Sequence, residues 1–321
     1  MPRSREPARS AMERTASPAA PARWLVFTLI GVLSLIWGST WVVIAKGLET
    51  LPPYTSATAR FALAALVMAV LAPRLARAEG GARPARWLAL AVGSTSFGAS
   101  YALVYWSETR LPSGVVCVLW SVFPILMALS SHFFLGHRLA GVRPWIGFGL
   151  GFVGVALLCA TDLARFGVDG VPTALLLLVS PLVSCAGTTL VKKHGRGTSS
   201  AYLNRDAMIV GTCWLAACAA VFERDAAPHW NATAIASVIY LAIAGTVLAF
   251  GLYFWLLRHT PAHELSLISY LTPAVALTLG PLFAGETVGL GTVGACGLVL
   301  AGVFLAVGRP RAAIANATPK T

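Results

Sequence analysis

Stretches of about twenty apolar residues, separated by short polar segments, recur from Trp24 to Val307. A helix that crosses about 30 Å of hydrocarbon needs about 20 residues, so each stretch could form one membrane span. The 321-residue chain is 57% hydrophobic and only 11% charged, which leaves too little polar surface for a water-soluble fold. The pattern predicts an all-α integral membrane protein. It argues against a soluble enzyme, a disordered chain and a nucleic-acid-binding domain.

The apolar pattern predicts ten transmembrane helices, although hydropathy alone does not exclude nine. The seventh span is the weakest, because it is short and flanked by Asp206 and Glu223. Residues 1–23 have no apolar core and predict a disordered cytoplasmic tail, and residues 308–321 form a second cytoplasmic tail. We place the spans at Trp24–Lys46, Tyr54–Leu71, Trp87–Ser107, Pro112–Leu135, Pro144–Ala160, Pro172–Val191, Asp206–Phe222, Ala232–Leu257, Leu265–Phe283 and Val288–Val307.

An internal repeat supports the count of ten. Trp255 follows Trp106 by 149 residues (255 − 106 = 149), and the same offset relates Pro112 to Pro261, Pro124 to Pro273 and Gly136 to Gly285. The offset indicates two copies of a five-helix unit, at residues 24–160 and 172–307, and it predicts a span beginning near residue 203. Because five is odd, the second copy must enter the membrane from the opposite side. Such inverted repeats are common in secondary transporters.

The positive charge of the chain indicates its orientation. The 24 Lys and Arg residues exceed the 12 Asp and Glu residues, which gives a formal net charge of +12. If the N-terminus is cytoplasmic, 19 of the 24 basic residues lie in inside segments, as the positive-inside rule requires. This predicts that both termini are cytoplasmic, and it assigns the charge to topology instead of to nucleic-acid binding. The five other basic residues are Lys46, Arg60, Arg110, Arg165 and Arg224.

Motifs of cofactor and metal chemistry are missing from the sequence or lie in the wrong context. Two GxGxxG stretches, Gly149–Gly154 and Gly289–Gly294, lie at or inside the fifth and tenth spans, where small residues favour close helix packing. The sequence has no phosphate-binding Gly-Lys-Ser/Thr loop, no HExxH and no CxxC pair. We therefore predict no catalytic residue, no metal site and no cofactor.

Arg60 is the charge that topology does not explain, because it lies several residues inside the second span. Charged residues within membrane spans mark functional sites by default. The residue 149 positions later is the apolar Ile209, so the repeated scaffold does not require a charge there. A substrate carboxylate would be a natural partner for the guanidinium. The alternatives are that Arg60 extends to the membrane surface, or pairs with Glu49 or Glu108.

Other polar and aromatic residues inside the spans are weaker candidates for a substrate cavity. Small-molecule sites are mostly apolar, with a few placed polar groups. His132 and Glu264 could carry protons or act in gating, although packing and helix capping are competing explanations. Pro124 and Pro273, which the repeat relates, could kink the fourth and ninth spans and act as hinges. The cavity-lining candidates are Trp37, Thr40, Tyr101, Trp120 and Tyr270.

Several of these residues resemble the EamA family of the drug/metabolite transporter (DMT) superfamily over about residues 24–307. The resemblance rests on the glycine-rich last span and on four stretches, Trp37–Thr40, Gly47–Glu49, Ala59–Phe61 and Pro273 followed by Gly285-Glu286. It implies a ten-helix carrier of small metabolites, often an exporter of the bacterial inner membrane, with its cavity between the halves. The first repeat departs from the pattern, because His137 follows Gly136 where the family has glutamate.

The sequence thus predicts a secondary transporter that exports small amphipathic metabolites, amino-acid-like compounds above all, and functions as a monomer in the lipid bilayer. The small four-helix relatives couple drug efflux to a carboxylate in their first helix, and this first span has none. That disfavours antiport of cationic drugs by the same route. Two alternatives stay open: a membrane-embedded enzyme, and a receptor or assembly protein that transports nothing.

Overall fold

The computed structural model describes residues 22–136, 139, 141–161, 169–259 and 262–307. Most of the first predicted tail and all of the second lie outside these residues. The described part folds into fourteen α-helices: α1 (Arg23–Leu48), α2 (Pro53–Glu79), α3 (Arg86–Val92), α4 (Ser100–Glu108), α5 (Ser113–Trp120), α6 (Phe123–Phe134), α7 (Arg143–Thr161), α8 (Gly170–Leu177), α9 (Val179–His194), α10 (Ser200–Phe222), α11 (Ala232–Ala242), α12 (Ala249–His259), α13 (Ala262–Ala284) and α14 (Leu290–Val307).

These helices assemble into the predicted spans. Within the described residues, nine helical segments are long and apolar enough to cross a membrane, and Leu290–Ala306 forms a shorter apolar helix. The all-α membrane architecture is therefore confirmed. The doubtful seventh span exists as α10, which begins at Ser200, six residues before the apolar run. Helix α2 likewise continues past Leu71 to Glu79, because polar helix ends extend beyond the hydrophobic stretch that hydropathy detects.

The third and eighth spans are interrupted by π-helix at corresponding places. The third span passes from α3 through a π-helical segment, Gly93–Ala99, into α4, and the eighth passes from α11 through Ile243–Leu248 into α12. The offset of 149 carries residues 93–99 onto 242–248, so the two segments are equivalent in the repeat. Short π-helical segments inside α-helices frequently occur at functional sites.

Small residues bring the spans of the two halves close together. Helix α7 packs along α14, and a Cβ atom added at Gly154 would lie 2.9 Å from the carbonyl oxygen of Ala295. One added at Gly147 would lie 2.6 Å from the carbonyl oxygen of Gly302. The first GxGxxG stretch therefore lies in a helix–helix contact, as its position in an apolar span predicted.

Carboxylates at the ends of spans cap helix N-termini of the other half. Glu223, just after α10, accepts hydrogen bonds from the backbone N–H groups of Tyr54 and Thr55 at 2.6 and 2.8 Å, at the start of α2. Glu79, at the end of α2, accepts hydrogen bonds from the Ser199 and Ser200 hydroxyls at the start of α10. A negative charge at a helix N-terminus is favourable, so the second and seventh spans stabilise each other reciprocally.

Only one of the two paired prolines coincides with a break. The fourth span is divided at Ser121 and Val122, directly before α6, in which Pro124 occupies the first turn. Pro273 lies inside the continuous helix α13, together with Pro281. The hinge role of both prolines stays a prediction.

Candidate functional site

Arg60 lies in the interior of the helix bundle. It is seven residues, or about 10 Å, from the first residue of α2. Only 2% of its surface is exposed. Arg60 therefore does not extend to the membrane surface, which was one of the two alternatives to a functional role.

The guanidinium of Arg60 is held by two hydroxyl groups. Its Nε donates a hydrogen bond to Thr246 Oγ1 at 3.1 Å, and its Nη1 donates one to Tyr105 Oη at 3.4 Å. Thr246 lies in the second π-helical segment, and its hydroxyl in turn donates to the carbonyl oxygen of Leu241, five residues earlier. The irregular helix thus supplies an acceptor to the buried charge.

Aromatic rings surround the same guanidinium. The Cζ atom of Arg60 lies 5.1 Å from the ring centroid of Phe61 and 5.0 Å from that of Tyr101. The Tyr101 ring also packs edge-on against Phe61, with centroids 4.6 Å apart. Cations are attracted to the faces of aromatic rings, more strongly where water is excluded. Rings and hydroxyls together stabilise the charge without neutralising it.

The described residues place no carboxylate within ion-pair distance of Arg60. Glu49, one of the two partners considered from the sequence, instead binds Lys46, with Nζ and Oε1 2.6 Å apart. A guanidinium has five N–H donors, and the two hydroxyl contacts use only two of them. The remaining donors suit the oxygens of an anionic ligand.

Thr40 and Tyr101 are the two other predicted cavity residues that lie near Arg60. A Cβ atom added at Gly245 would be 2.9 Å from Thr40 Cγ2 and 3.8 Å from Arg60 Nη2, which places α1 beside the guanidinium. The Arg60 cluster comprises Arg60, Thr40, Phe61, Tyr101, Tyr105 and Thr246.

Arg60 and Thr246, which are hydrogen-bonded to each other, both have apolar counterparts in the repeat. Subtracting or adding 149 relates Arg60 to Ile209 and Thr246 to Phe97. In the second and seventh spans the repeat therefore places arginine in one copy and isoleucine in the other. Packing alone does not require the Arg60–Thr246 contact, since the related positions are filled by two apolar side chains.

Trp37 and Trp120 belong to neighbouring groups. The Trp37 ring packs against Phe250 and Tyr253, with centroids 5.8 and 5.5 Å apart. The Trp120 Nε1 donates to Ser180 Oγ at 3.0 Å, which ties the fourth span to the sixth. These two side chains line the interior, but the structure does not bring them to Arg60.

Two other predicted residues, Tyr270 and His132, have their contacts away from the Arg60 cluster. The Tyr270 ring packs towards the tenth span, with its centroid 6.4 Å from that of Phe304. His132 accepts a hydrogen bond at Nδ1 from the backbone N–H of Leu139 at 3.1 Å, a local contact after α6 that agrees with the packing explanation. Glu264 lies in the first turn of α13, and its side chain lies outside the described residues.

Sequence reasoning missed two polar groups of the interior, Thr246 and Glu108. Thr246 carried no signal, because a hydroxyl in an apolar run is ordinary. Glu108 was considered only as a partner for Arg60, since the predicted third span ended one residue before it. A third interior group, the buried Nε1 of Trp41, has no hydrogen-bond partner among the described residues.

The repeated fold with a buried polar site leads to the comparison with known proteins. The model of the EamA-like transporter family matches residues 23–160 and, separately, residues 171–308. The chain belongs to this family. It is therefore a multi-pass membrane transporter and not a membrane-embedded enzyme, and the family resemblance inferred from its motifs is confirmed.

Curated relatives are similar along most of their length. The transporter YoaV of Bacillus subtilis is 22% identical over 88% of this chain and 97% of its own. Protein PecM of Dickeya dadantii is 27% identical over 77% of this chain and 80% of its own length. The inner membrane transporter YedA of Escherichia coli is 25% identical over 82% and 84%. A solved crystal structure shares the fold, with a TM-score of 0.63 and 19% identity over 89% of this chain and 98% of that one.

Proposed function

We propose that this EamA-family member is a secondary transporter that exports small amphipathic metabolites bearing a carboxylate, amino-acid-like compounds above all. Transport would proceed by alternating access of a cavity between the two halves. The single observation that carries the substrate class is the Arg60 cluster. A buried guanidinium has hydroxyl and aromatic partners there, and no described carboxylate lies within ion-pair distance.

The composition of the cluster fits an amphipathic anion. The guanidinium would bind the carboxylate through two parallel hydrogen bonds, and the rings of Phe61 and Tyr101 would contact the apolar part. Burial strengthens such a charge-assisted bond, because little water competes for the donors. Thr246 and Tyr105 would hold Arg60 in place while the ligand is absent.

We place the protein in the inner membrane, with both termini in the cytoplasm and the monomer as the transporting unit. The similarity to the inner membrane transporter YedA and the excess of basic residues in the predicted cytoplasmic segments support this placement. In this orientation Arg60 lies in the outer half of the membrane. Tagging each terminus with a reporter that functions only in the cytoplasm tests the orientation.

Flux measurements test the proposed function. The purified full chain is reconstituted in liposomes and tested with a panel of radiolabelled amino acids, their N-acetyl derivatives and the corresponding amines. We expect efflux of unchanged compounds that carry a carboxylate, and no efflux of the amines. Flux of amines alone would refute the anionic substrate class, and no flux of any compound in the panel would refute the proposed amino-acid-like substrates. A screen for resistance to toxic analogues in cells that overproduce the protein then tests direction.

A further inference from the structure

Glu108 is a buried carboxylate that the proposed transport mechanism leaves without a role. It is the last residue of α4, and only 7% of its surface is exposed. Neither carboxylate oxygen has a hydrogen-bond partner among the described residues. A buried ionised carboxylate without donors is strongly disfavoured, and the C-terminal end of a helix adds an unfavourable dipole. Protonation removes both penalties.

The groups that face Glu108 come from four elements. Arg60 of α2 and Glu286, which precedes α14, interact with it electrostatically. Tyr105 lies one turn earlier on its own helix, and Cys117 of α5 also lies within electrostatic range. Arg60 is the only cation among these four neighbours.

Glu286, unlike Glu108, has hydrogen-bond donors among the described residues. Its two carboxylate oxygens accept hydrogen bonds from the backbone N–H groups of Ser113 and Gly114, at 2.6 and 3.2 Å, at the N-terminus of α5. Two neighbouring carboxylates do not both ionise readily, and the one without donors takes the proton. Of this pair, Glu108 is therefore the proton acceptor.

The repeat gives an independent reason to assign a function to Glu108. Its counterpart 149 residues later is Leu257, an apolar residue. A carboxylate is thus not required to build the end of this span. Glu108 and Arg60 are both charges for which the other copy has an aliphatic residue.

We propose that Glu108 is a proton-binding site linked to the anion site at Arg60. In the empty transporter Glu108 exchanges a proton with water, and its ionised form partly balances the charge of Arg60. When Glu108 takes a proton from water, the guanidinium is left uncompensated and can bind a carboxylate. The anion role of Arg60 rests on the function proposed above, whereas the proton site does not depend on it.

The linkage makes each form of the site electrically neutral. With Glu108 ionised, the empty site holds one positive and one negative charge. With Glu108 protonated and a singly charged anion bound, such as an N-acetyl amino acid, the site holds the guanidinium, the bound carboxylate and a neutral Glu108. One proton then crosses with each anion in the same direction, and it is released to water on the far side. Net export occurs when the outward gradient of the metabolite exceeds the inward gradient of protons.

An infrared titration of the full chain in liposomes tests the proton site without any transported compound. The C=O stretch of a protonated carboxyl group should fade as the pH rises from mildly acidic to alkaline. We expect Glu108→Gln to lack this band and Glu108→Asp to retain it at a shifted frequency. Glu49→Gln, which removes an exposed carboxylate paired with Lys46, is the control. An unchanged band in Glu108→Gln would overturn the proposal. If the Gln variant misfolds, the shifted band of Glu108→Asp still tests the assignment.

Arg60→Gln tests the linkage between the two sites. Removing the cation should move the midpoint of the Glu108 band to higher pH by about one unit or more, because the ionised form loses its compensating charge. An unmoved midpoint would refute the linkage. If liposomes show anion flux but the protein shows no Glu108 band, the proton site is refuted and the transport function is not. If the protein shows the Glu108 band but no compound is transported, the proposed transport function is refuted and the proton site still stands.

Discussion

The guanidinium of Arg60 donates a hydrogen bond from Nε to Thr246 Oγ1 at 3.1 Å, and this contact joins the second span to the eighth. The acceptor lies in a π-helical segment, where its hydroxyl also donates to Leu241, five residues earlier. A functional charge of the first repeat is thus positioned by an irregular turn of the second. Relative movement of the two halves would change this contact directly.

The first prediction concerns the charge itself. Arg60→Ala should abolish transport of carboxylate-bearing compounds, while Arg60→Lys should retain a small part of it, because an ammonium cannot form the two parallel hydrogen bonds of a guanidinium. The measurement is efflux from liposomes, with membrane insertion checked by fractionation. Arg110→Ala is the matched control, since Arg110 is exposed and its Cζ atom lies 4.0 Å from the ring centroid of Trp106. Full activity of Arg60→Ala would exclude Arg60 from the site.

The second prediction concerns the hydroxyl that holds Arg60. Thr246→Val removes the acceptor and leaves Nε buried without a partner, which costs about 1–2 kcal/mol, or about 5- to 30-fold in an equilibrium constant. Because the guanidinium also loses the contact that fixes it in the orientation that receives a carboxylate, we expect the substrate concentration for half-maximal efflux to rise by up to about that factor. Thr246→Ser keeps the hydroxyl and should stay close to wild type. Equal effects of the two substitutions would point to lost packing of the methyl group instead of a lost hydrogen bond.

The sequence predicted the membrane architecture well, because apolar length and the 149-residue offset are both visible without contacts. It predicted the site only in part. In a membrane helix the residues that face lipid and those that face the core are both apolar, so periodicity does not show which way a side chain points. Tyr270 and Tyr101 looked alike as cavity candidates inside spans, yet the ring of Tyr270 packs towards the tenth span and that of Tyr101 lies 5.0 Å from Arg60 Cζ.

The residues that were missed have the same physical explanation. Hydropathy ended the third span at Ser107, because a carboxylate usually lies outside the membrane, and so it assigned Glu108 to a loop. The helix in fact includes Glu108, whose side chain turns into the protein. Thr246 depended on a π-helical segment that rotates the side chains after it by part of a turn, and no sequence signal in the eighth span marked that segment.

The third prediction concerns the close contact between the first and ninth spans. A Cβ atom added at Gly38 would lie 2.5 Å from Val275 Cβ, so Gly38→Ala should cause overpacking that costs about 1–3 kcal/mol. The midpoint of thermal unfolding in detergent measures this. The control is Gly31→Ala on the same helix, where an added Cβ atom would meet nothing within 4 Å. Equal unfolding midpoints for the two variants would show that the first and ninth spans accommodate the added methyl group without a loss of stability.

The fourth prediction concerns the carboxylate caps that cross between the halves. Glu223 accepts three hydrogen bonds at the start of α2, from the backbone of Tyr54 and from the backbone and hydroxyl of Thr55. Glu223→Ala should cost about 1–2 kcal/mol, because two backbone N–H groups at a helix N-terminus lose their acceptor. The comparison is Glu49→Ala, which breaks an exposed ion pair and should cost less than about 0.5 kcal/mol. If both lower the unfolding midpoint equally, the cap contributes no more than a surface pair, and other contacts hold the second span against the seventh.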